Sequence, residues 1–109
     1  MDKAKLINRF KMIFTNSEIE RISFDMKDEN IETIKVDVHG LKCASAKRFI
    51  NNIINLIMDA FKLIVIHGFN HGTAIRDMLR GNFFNHKVEN FFCIVENDGV
   101  TYLVIHSYI

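Results

Sequence analysis

Over residues 34–66 the spacing of apolar residues changes twice, and those changes confine the chain to few folds. Ile34, Val36 and Val38 alternate with Lys35, Asp37 and His39, the period of a strand with one buried face. After Gly40, the residues Ala46, Phe49, Ile50, Ile53, Ile57 and Ala60 recur at helical spacing. Lys47, Arg48, Asn51, Asn52 and Asn55 fall between them, which predicts an amphipathic helix of roughly four turns. Residues 63–66 then form a continuous apolar run, as expected of a strand covered on both faces. A helical crossover between two strands predicts that they are parallel and joined right-handedly.

The remaining chain extends this unit. Thr73 is placed to cap a second helix through Ala74, Ile75, Met78 and Leu79, and Gly81 to end it. Residues 88–95 and 101–105 are β-rich, and Asn97-Asp98-Gly99 reads as the turn of a hairpin between them. The order β-α-β-α-β-β predicts an α/β fold of the two-layer α+β sandwich type. Its mixed sheet has four strands, and two helices leave one sheet face open. Residues 1–33 precede this unit as an extension, with residues 34–109 as the domain proper. Leu6, Ile7, Phe10, Ile13 and Phe14 share one face of a helix expected at residues 3–14. For residues 17–30 two readings stand side by side. Ser17 with Glu20 has the spacing of a capping box, whereas Ile22, Phe24 and Met26 alternate like a strand.

A chain of 109 residues supports one core, and 49% hydrophobic with 25% charged residues excludes disorder. No apolar stretch approaches the ~20 residues of a membrane span, and the first residues show no signal-peptide cleavage site. Cys43 and Cys93 stand in no zinc or CxxC spacing, so the expectation is a cytoplasmic protein with two free thiols and no membrane partner. The net charge of +1 conceals a division along the chain. Residues 38–87 hold seven basic and two acidic side chains and four of the five histidines. The last 22 residues hold three acidic side chains and no Lys or Arg. A basic middle is where an anionic ligand would go, although solvated helix faces also collect cations.

Two groups of residues carry chemistry. Asp37 and His39 lie two apart on a strand, so both project to the face opposite Val36 and Val38. They stand at the C-terminal end of a parallel strand, where open α/β sheets place ligands. A carboxylate beside an imidazole orients it and suits it to general acid/base work. The plainer alternative is that Asp37 caps the next loop and His39 bonds to backbone. The second group is the loop from His67 to Gly72, which opens onto the second helix. Such a loop directs free N–H groups and the helix dipole at one spot, as a phosphate requires. Gly68, Asn70, Gly72 and Thr73 shape it, His67 and His71 offer donors, and Arg76 and Arg80 add charge at i, i+4 spacing. Here the alternative is a simple βα turn with Arg76 paired to Asp77. Asp37, His39, His67 and His71 are also donors of the kind zinc or manganese accepts, but in no recognised ligand spacing. No cofactor is therefore required, with a divalent metal as the alternative. Phe69, Phe83 and Phe84 are candidates for stacking on bases, Phe69 foremost because it lies in the glycine loop.

The strand end Val36-Asp37-Val38-His39-Gly40-Leu41 and the loop Ile66-His67-Gly68-Phe69-Asn70-His71-Gly72 together resemble the small MutS-related (Smr) domain. That family is marked by an LDLHG-like strand end and a later HGxGxG-like loop. Ala46 and the turn Asn97-Asp98-Gly99-Val100-Thr101, similar to the family's N-x-G-x-T, extend the resemblance over about residues 34–106. Asn70 departs from the pattern, standing where the family has its middle glycine; Asn is the next best residue at positive φ. The resemblance implies a nucleic-acid endonuclease, nicking DNA or cleaving RNA, with Asp37 and His39 at the positions linked to nuclease activity. The alternatives are a non-catalytic nucleic-acid-binding module, or an interaction domain that forms a homo-oligomer through its N-terminal helix or open sheet face.

Overall fold

The computed structural model describes residues 2–68, 72–94 and 96–107. Its five strands are β1 (Ile22–Lys27), β2 (Asn30–Asp37), β3 (Phe61–Ile66), β4 (Val88–Ile94) and β5 (Asn97–Ile105). They form one sheet in the order β1-β2-β3-β5-β4. β2 and β3 are parallel, as the crossover requires, and every other pair is antiparallel. The helices are α1 (Lys3–Ile13), α2 (Asn16–Glu20), α3 (Cys43–Leu56) and α4 (Ala74–Asp77), the last continued by a π-helical turn at Met78–Asn82.

One core joins all of this. Ile34, Val36 and Val38, Leu63 and Val65, and Leu103 and Ile105 present the inner sheet face to Phe49, Ile50 and Ile53 of α3. Ile75, Met78 and Leu79, and Leu6 and Phe10 of α1, belong to the same cluster. Successive strand residues alternate between faces, so Lys35, Ile64, Tyr102 and Phe92, paired across four strands, lie on the opposite face. The two-layer arrangement with an open face is thus present, but with five strands rather than four.

The fifth strand comes from the segment that read two ways, and both readings occur in succession. Residues 16–20 are helical, and the capping box is Thr15 with Glu18, two residues earlier than Ser17 with Glu20. The Thr15 hydroxyl accepts from the Glu18 N–H at 3.2 Å, and Glu18 Oε1 accepts from the Thr15 N–H at 2.9 Å. The chain then becomes β1 and returns as β2 through Asp28 and Glu29, both at positive φ, the backbone of a two-residue hairpin turn.

Three other boundaries differ from the periodicity. α3 ends at Leu56 rather than near Ala60, because the buried Lys87 ammonium donates to the carbonyls of Ile54 (2.7 Å) and Ile57. The second helix is one α-turn followed by a π-turn that contains Gly81, so Gly81 does not terminate it. The last hairpin reverses between Ile94 and Asn97, so Asn97-Asp98-Gly99 lies at the start of β5. The turn chemistry of Asn97 is used there nonetheless, as Oδ1 accepts from the Gly99 N–H at 3.0 Å.

Candidate functional site

β2 delivers Asp37 and His39 to the C-terminal edge of the sheet. Val36 and Val38 are fully buried, and the alternation leaves 38% of the Asp37 and 62% of the His39 side chain exposed. Pairing continues one residue beyond the strand, since the Val38 N–H donates to the Ile66 carbonyl at 2.9 Å. His39 Nδ1 contacts Asp37 Oδ1 directly, and the same oxygen accepts from the His39 backbone N–H at 3.1 Å. With its Nδ1–H given to a carboxylate, the ring has no hydrogen bond to Nε2 among the described residues. Arg21, which the sequence did not single out, holds this strand end from outside. Its Nη1 donates to the carbonyls of Asp37 (2.9 Å) and His39 (3.2 Å), and its own carbonyl accepts from the Asp37 N–H at 2.9 Å.

β3 ends beside it, with Ile66 in register with Asp37. Gly68 has φ +71°, and a side chain there would meet His39 Cβ at 3.6 Å, so the two sequence motifs are in contact distance of one another. Gly72 has φ +108°. Between His39, Gly40, Leu41 and Cys43 on one side and His67, Gly68, Gly72, Ile75 and Arg76 on the other lies a cleft of about 360 Å³. Phe69, Asn70 and His71 lie outside the described residues. Of the other aromatics considered for stacking, Phe84 is exposed and Phe83 packs against the core.

His67 is buried and its ring is committed. Nδ1 donates to the Gly68 carbonyl at 2.9 Å, and Nε2 lies 2.9 Å from Thr101 Oγ1. Arg80 Nε–H donates to the same hydroxyl at 3.1 Å, so the Thr101 proton is directed at His67 Nε2. Burial lowers the His67 pKa from the ordinary histidine value, which keeps it in this neutral tautomer. The N–H groups of both His67 and Gly68 donate to the Gly99 carbonyl, at 2.9 and 3.0 Å. His67 is therefore a brace between the loop and β5, not the free phosphate donor expected.

Nor are the two arginines free. Arg80 Nη1 donates to Asp98 Oδ1 at 2.9 Å and Nη2 to the Val100 carbonyl at 3.3 Å, while Arg76 Nη1 contacts Asp98 Oδ2. Arg76 Nε also donates to Asp77 at 3.2 Å. The hydrogen bond from Arg80, then that from Arg76, holds the Asp98 carboxyl below the usual range. Asp77 is lowered first by the Thr73 hydroxyl, which donates to it at 2.8 Å, and then by Arg76. Thr73 stands at the N-cap position, but its hydroxyl caps no helix N–H. The sequence reading had Asp98 and Thr101 inside a motif without assigning them roles; they are the partners that engage Arg76, Arg80 and His67. Arg21 gave no signal, lying in an acidic segment away from both motifs.

Among the described residues no three His, Cys, Asp or Glu side chains gather as metal ligands. None of their helices is long and apolar enough to cross a membrane.

No protein-family model and no curated protein matches this sequence. A solved structure does: the crystal structure of the Smr domain of Thermus thermophilus MutS2 is similar over 66% of this chain and 96% of that domain. The sequence identity is 25% and the TM-score 0.50. The resemblance read from the two motifs is thereby matched by a likeness of fold.

Proposed function

We propose that this Smr-like domain binds nucleic acid across the His39 cleft and hydrolyses a phosphodiester bond there, with His39 as the acid/base and Asp37 as its orienting partner. One observation carries the reading: a histidine with its Nδ1 fixed by a carboxylate lines a cleft at the C-terminal edge of parallel strands, against a glycine loop. Hydrolysis needs a proton taken from the attacking water and one given to the leaving oxygen. His39 Nε2 would take the first as the water oxygen bonds to phosphorus, and solvent would protonate the leaving oxygen as its P–O bond breaks, while Asp37 holds the tautomer and balances the imidazolium that forms. Gly68 and Gly72 would border the phosphate. No cofactor is needed for these steps, and a divalent cation is tested separately below. The similarity to the MutS2 Smr domain supports a nucleic-acid partner for this chain.

Binding without cleavage is the second reading, and one observation favours it. Arg76, which lines the cleft, and Arg80, one turn further on, are both engaged by Asp98, so neither is free to stabilise charge developing on a transferring phosphoryl group. The experiment that separates the two is strand scission of labelled DNA and RNA, with and without chelator. His39→Ala should abolish scission and Asp37→Asn should reduce it, while both retain binding. Full scission by His39→Ala, in protein freed of contaminating nuclease, removes the catalytic assignment.

A further inference from the structure

We infer that the bound nucleic-acid strand leaves the His39 cleft over Leu41 and runs through the groove between α2 and α3, where Arg21 and Arg48 hold its phosphates. This rests on the proposed reading of the Asp37–His39 site and names the surface that site uses. The groove, of about 240 Å³, is lined by Thr15, Glu18 and Arg21 from the α2 segment and by Ser45 and Arg48 from α3. Leu41 lines both this groove and the cleft, so the two depressions are adjacent.

Charge decides which side of the cleft the polyanion takes. On the α4 side, both guanidinium groups already have carboxylate partners. In the α2–α3 groove neither Arg21 nor Arg48 has one among the described residues. Arg21 donates to two carbonyl oxygens, which carry no formal charge. Arg48 is exposed and makes no hydrogen bond or ion pair among the described residues. Glu18 is the one carboxylate lining this groove, and it is committed to the Thr15 N–H in the α2 capping box. Two guanidinium groups without an anionic partner among the described residues, in a groove adjacent to the candidate site, suit phosphate oxygens rather than a neutral or basic partner. Arg21 also ties the two functions together. Its Nη1 grips the backbone of Asp37 and His39, so a phosphate on its remaining N–H groups lies beside the strand end that carries the dyad.

The test is fluorescence anisotropy of labelled single strands and duplexes, as DNA and RNA, over a salt series. Each phosphate contact contributes a slope of about −0.7 for single strands and −0.9 for duplexes in log K against log salt. Arg48→Ala should flatten the slope by about one contact and weaken binding several-fold; alanine at an exposed helix position preserves the fold. Arg21→Lys should bind better than Arg21→Gln, because it keeps the charge. The double variant Arg76→Ala/Arg80→Ala should keep the unaltered slope. An unaltered slope in Arg48→Ala, with the parent protein binding normally, overturns the inference and leaves the reading of the dyad standing. A slope lost in the Arg76/Arg80 variant instead moves the track to the α4 side and overturns it too. Flattening by Arg48→Ala together with full scission by His39→Ala upholds the groove and sinks the catalytic reading. Absence of binding by the parent protein, or a groove that proves by sedimentation to join two copies of the chain, removes the inference.

Discussion

At the scale of the residue, His67 is where burial and protonation meet. Its ring donates to the Gly68 carbonyl and accepts from Thr101, which fits only the neutral form. Burial lowers its pKa from 6.5, so near that value the unfolded chain binds the proton more readily than the folded protein does. Its contribution to stability is therefore complete above about pH 6.5 and is lost as the pH falls through that value. His106 acts with the opposite sign. The carbonyls of Ser107 and His86 raise its pKa, so its contribution grows as the pH falls. Comparing the parent protein with His67→Leu cancels His106. Urea unfolding should show the variant about 1–3 kcal/mol less stable at pH 7.5, because Gly68 and Thr101 lose their partner. That gap should narrow at pH 5.5; an equal gap at both values excludes His67 as the titrating group. Asp98 offers a second test, because it engages two arginines with one carboxylate. Asp98→Asn weakens their engagement but should leave the salt slope of nucleic-acid binding nearly unaltered, because the strand runs on the α2–α3 side. A steepened slope in anisotropy titrations would place Arg76 and Arg80 on the path the strand takes.

Single elements are held by groups distant in sequence. The end of α3 depends on Lys87, which enters from the start of the β4 segment and is 2% exposed. Burial lowers its pKa from the ordinary lysine value, yet the two helix carbonyls it meets are good partners for an ammonium. Lys87→Met keeps the volume and removes the donor, leaving buried carbonyls unpaired at a cost of about 1–3 kcal/mol. Urea unfolding measures the cost, and amide exchange should rise first at the C-terminal turn of α3. A neutral result would mean that water replaces the ammonium there. The same dependence explains why helical periodicity placed this helix end too late. Ile57 and Ala60 keep the spacing, but the Ile54 carbonyl, which a longer helix would pair with residue 58, meets a side chain 33 residues on. β1 escaped clear reading for a different reason. Its hairpin turn is Asp28-Glu29, which lacks the glycine that marks such turns in a sequence, although both residues adopt positive φ.

For the molecule as a whole, the N-terminal residues are part of the core rather than an appendage to it. Leu6, Phe10 and Phe14 are buried in the cluster that α3 and the sheet share, and Phe10 packs edge-on to Phe14 and stacked with Phe24 of β1. Burial of three such side chains is worth roughly 1.5–3 kcal/mol each, comparable in sum to the ~5–15 kcal/mol that stabilises a domain. A fragment of residues 34–109 should therefore lose cooperative thermal unfolding and bind apolar dyes. A sharp calorimetric transition in that fragment would show that the domain closes without α1 and β1. The likeness to the MutS2 Smr domain extends over 66% of the chain.

The sequence by itself determined the parallel βαβ unit, the inner face of β2 and the strand end carrying Asp37 and His39. Each follows from a local period, and a local period is set by backbone geometry over a few residues. It also placed the two motifs on strands adjacent or close to one another, and the pairing of β2 with β3 made them neighbours. Only the tertiary structure decided which charges remain free. Arg76 and Arg80 read as phosphate ligands until Asp98 was brought across from β5. His67 read as a donor until Gly68 and Thr101 closed on its ring. Arg21 had no role until the strand end folded against it. Ion pairs and buried hydrogen bonds form between groups 16 to 34 residues apart, and no period along the chain encodes which partner arrives.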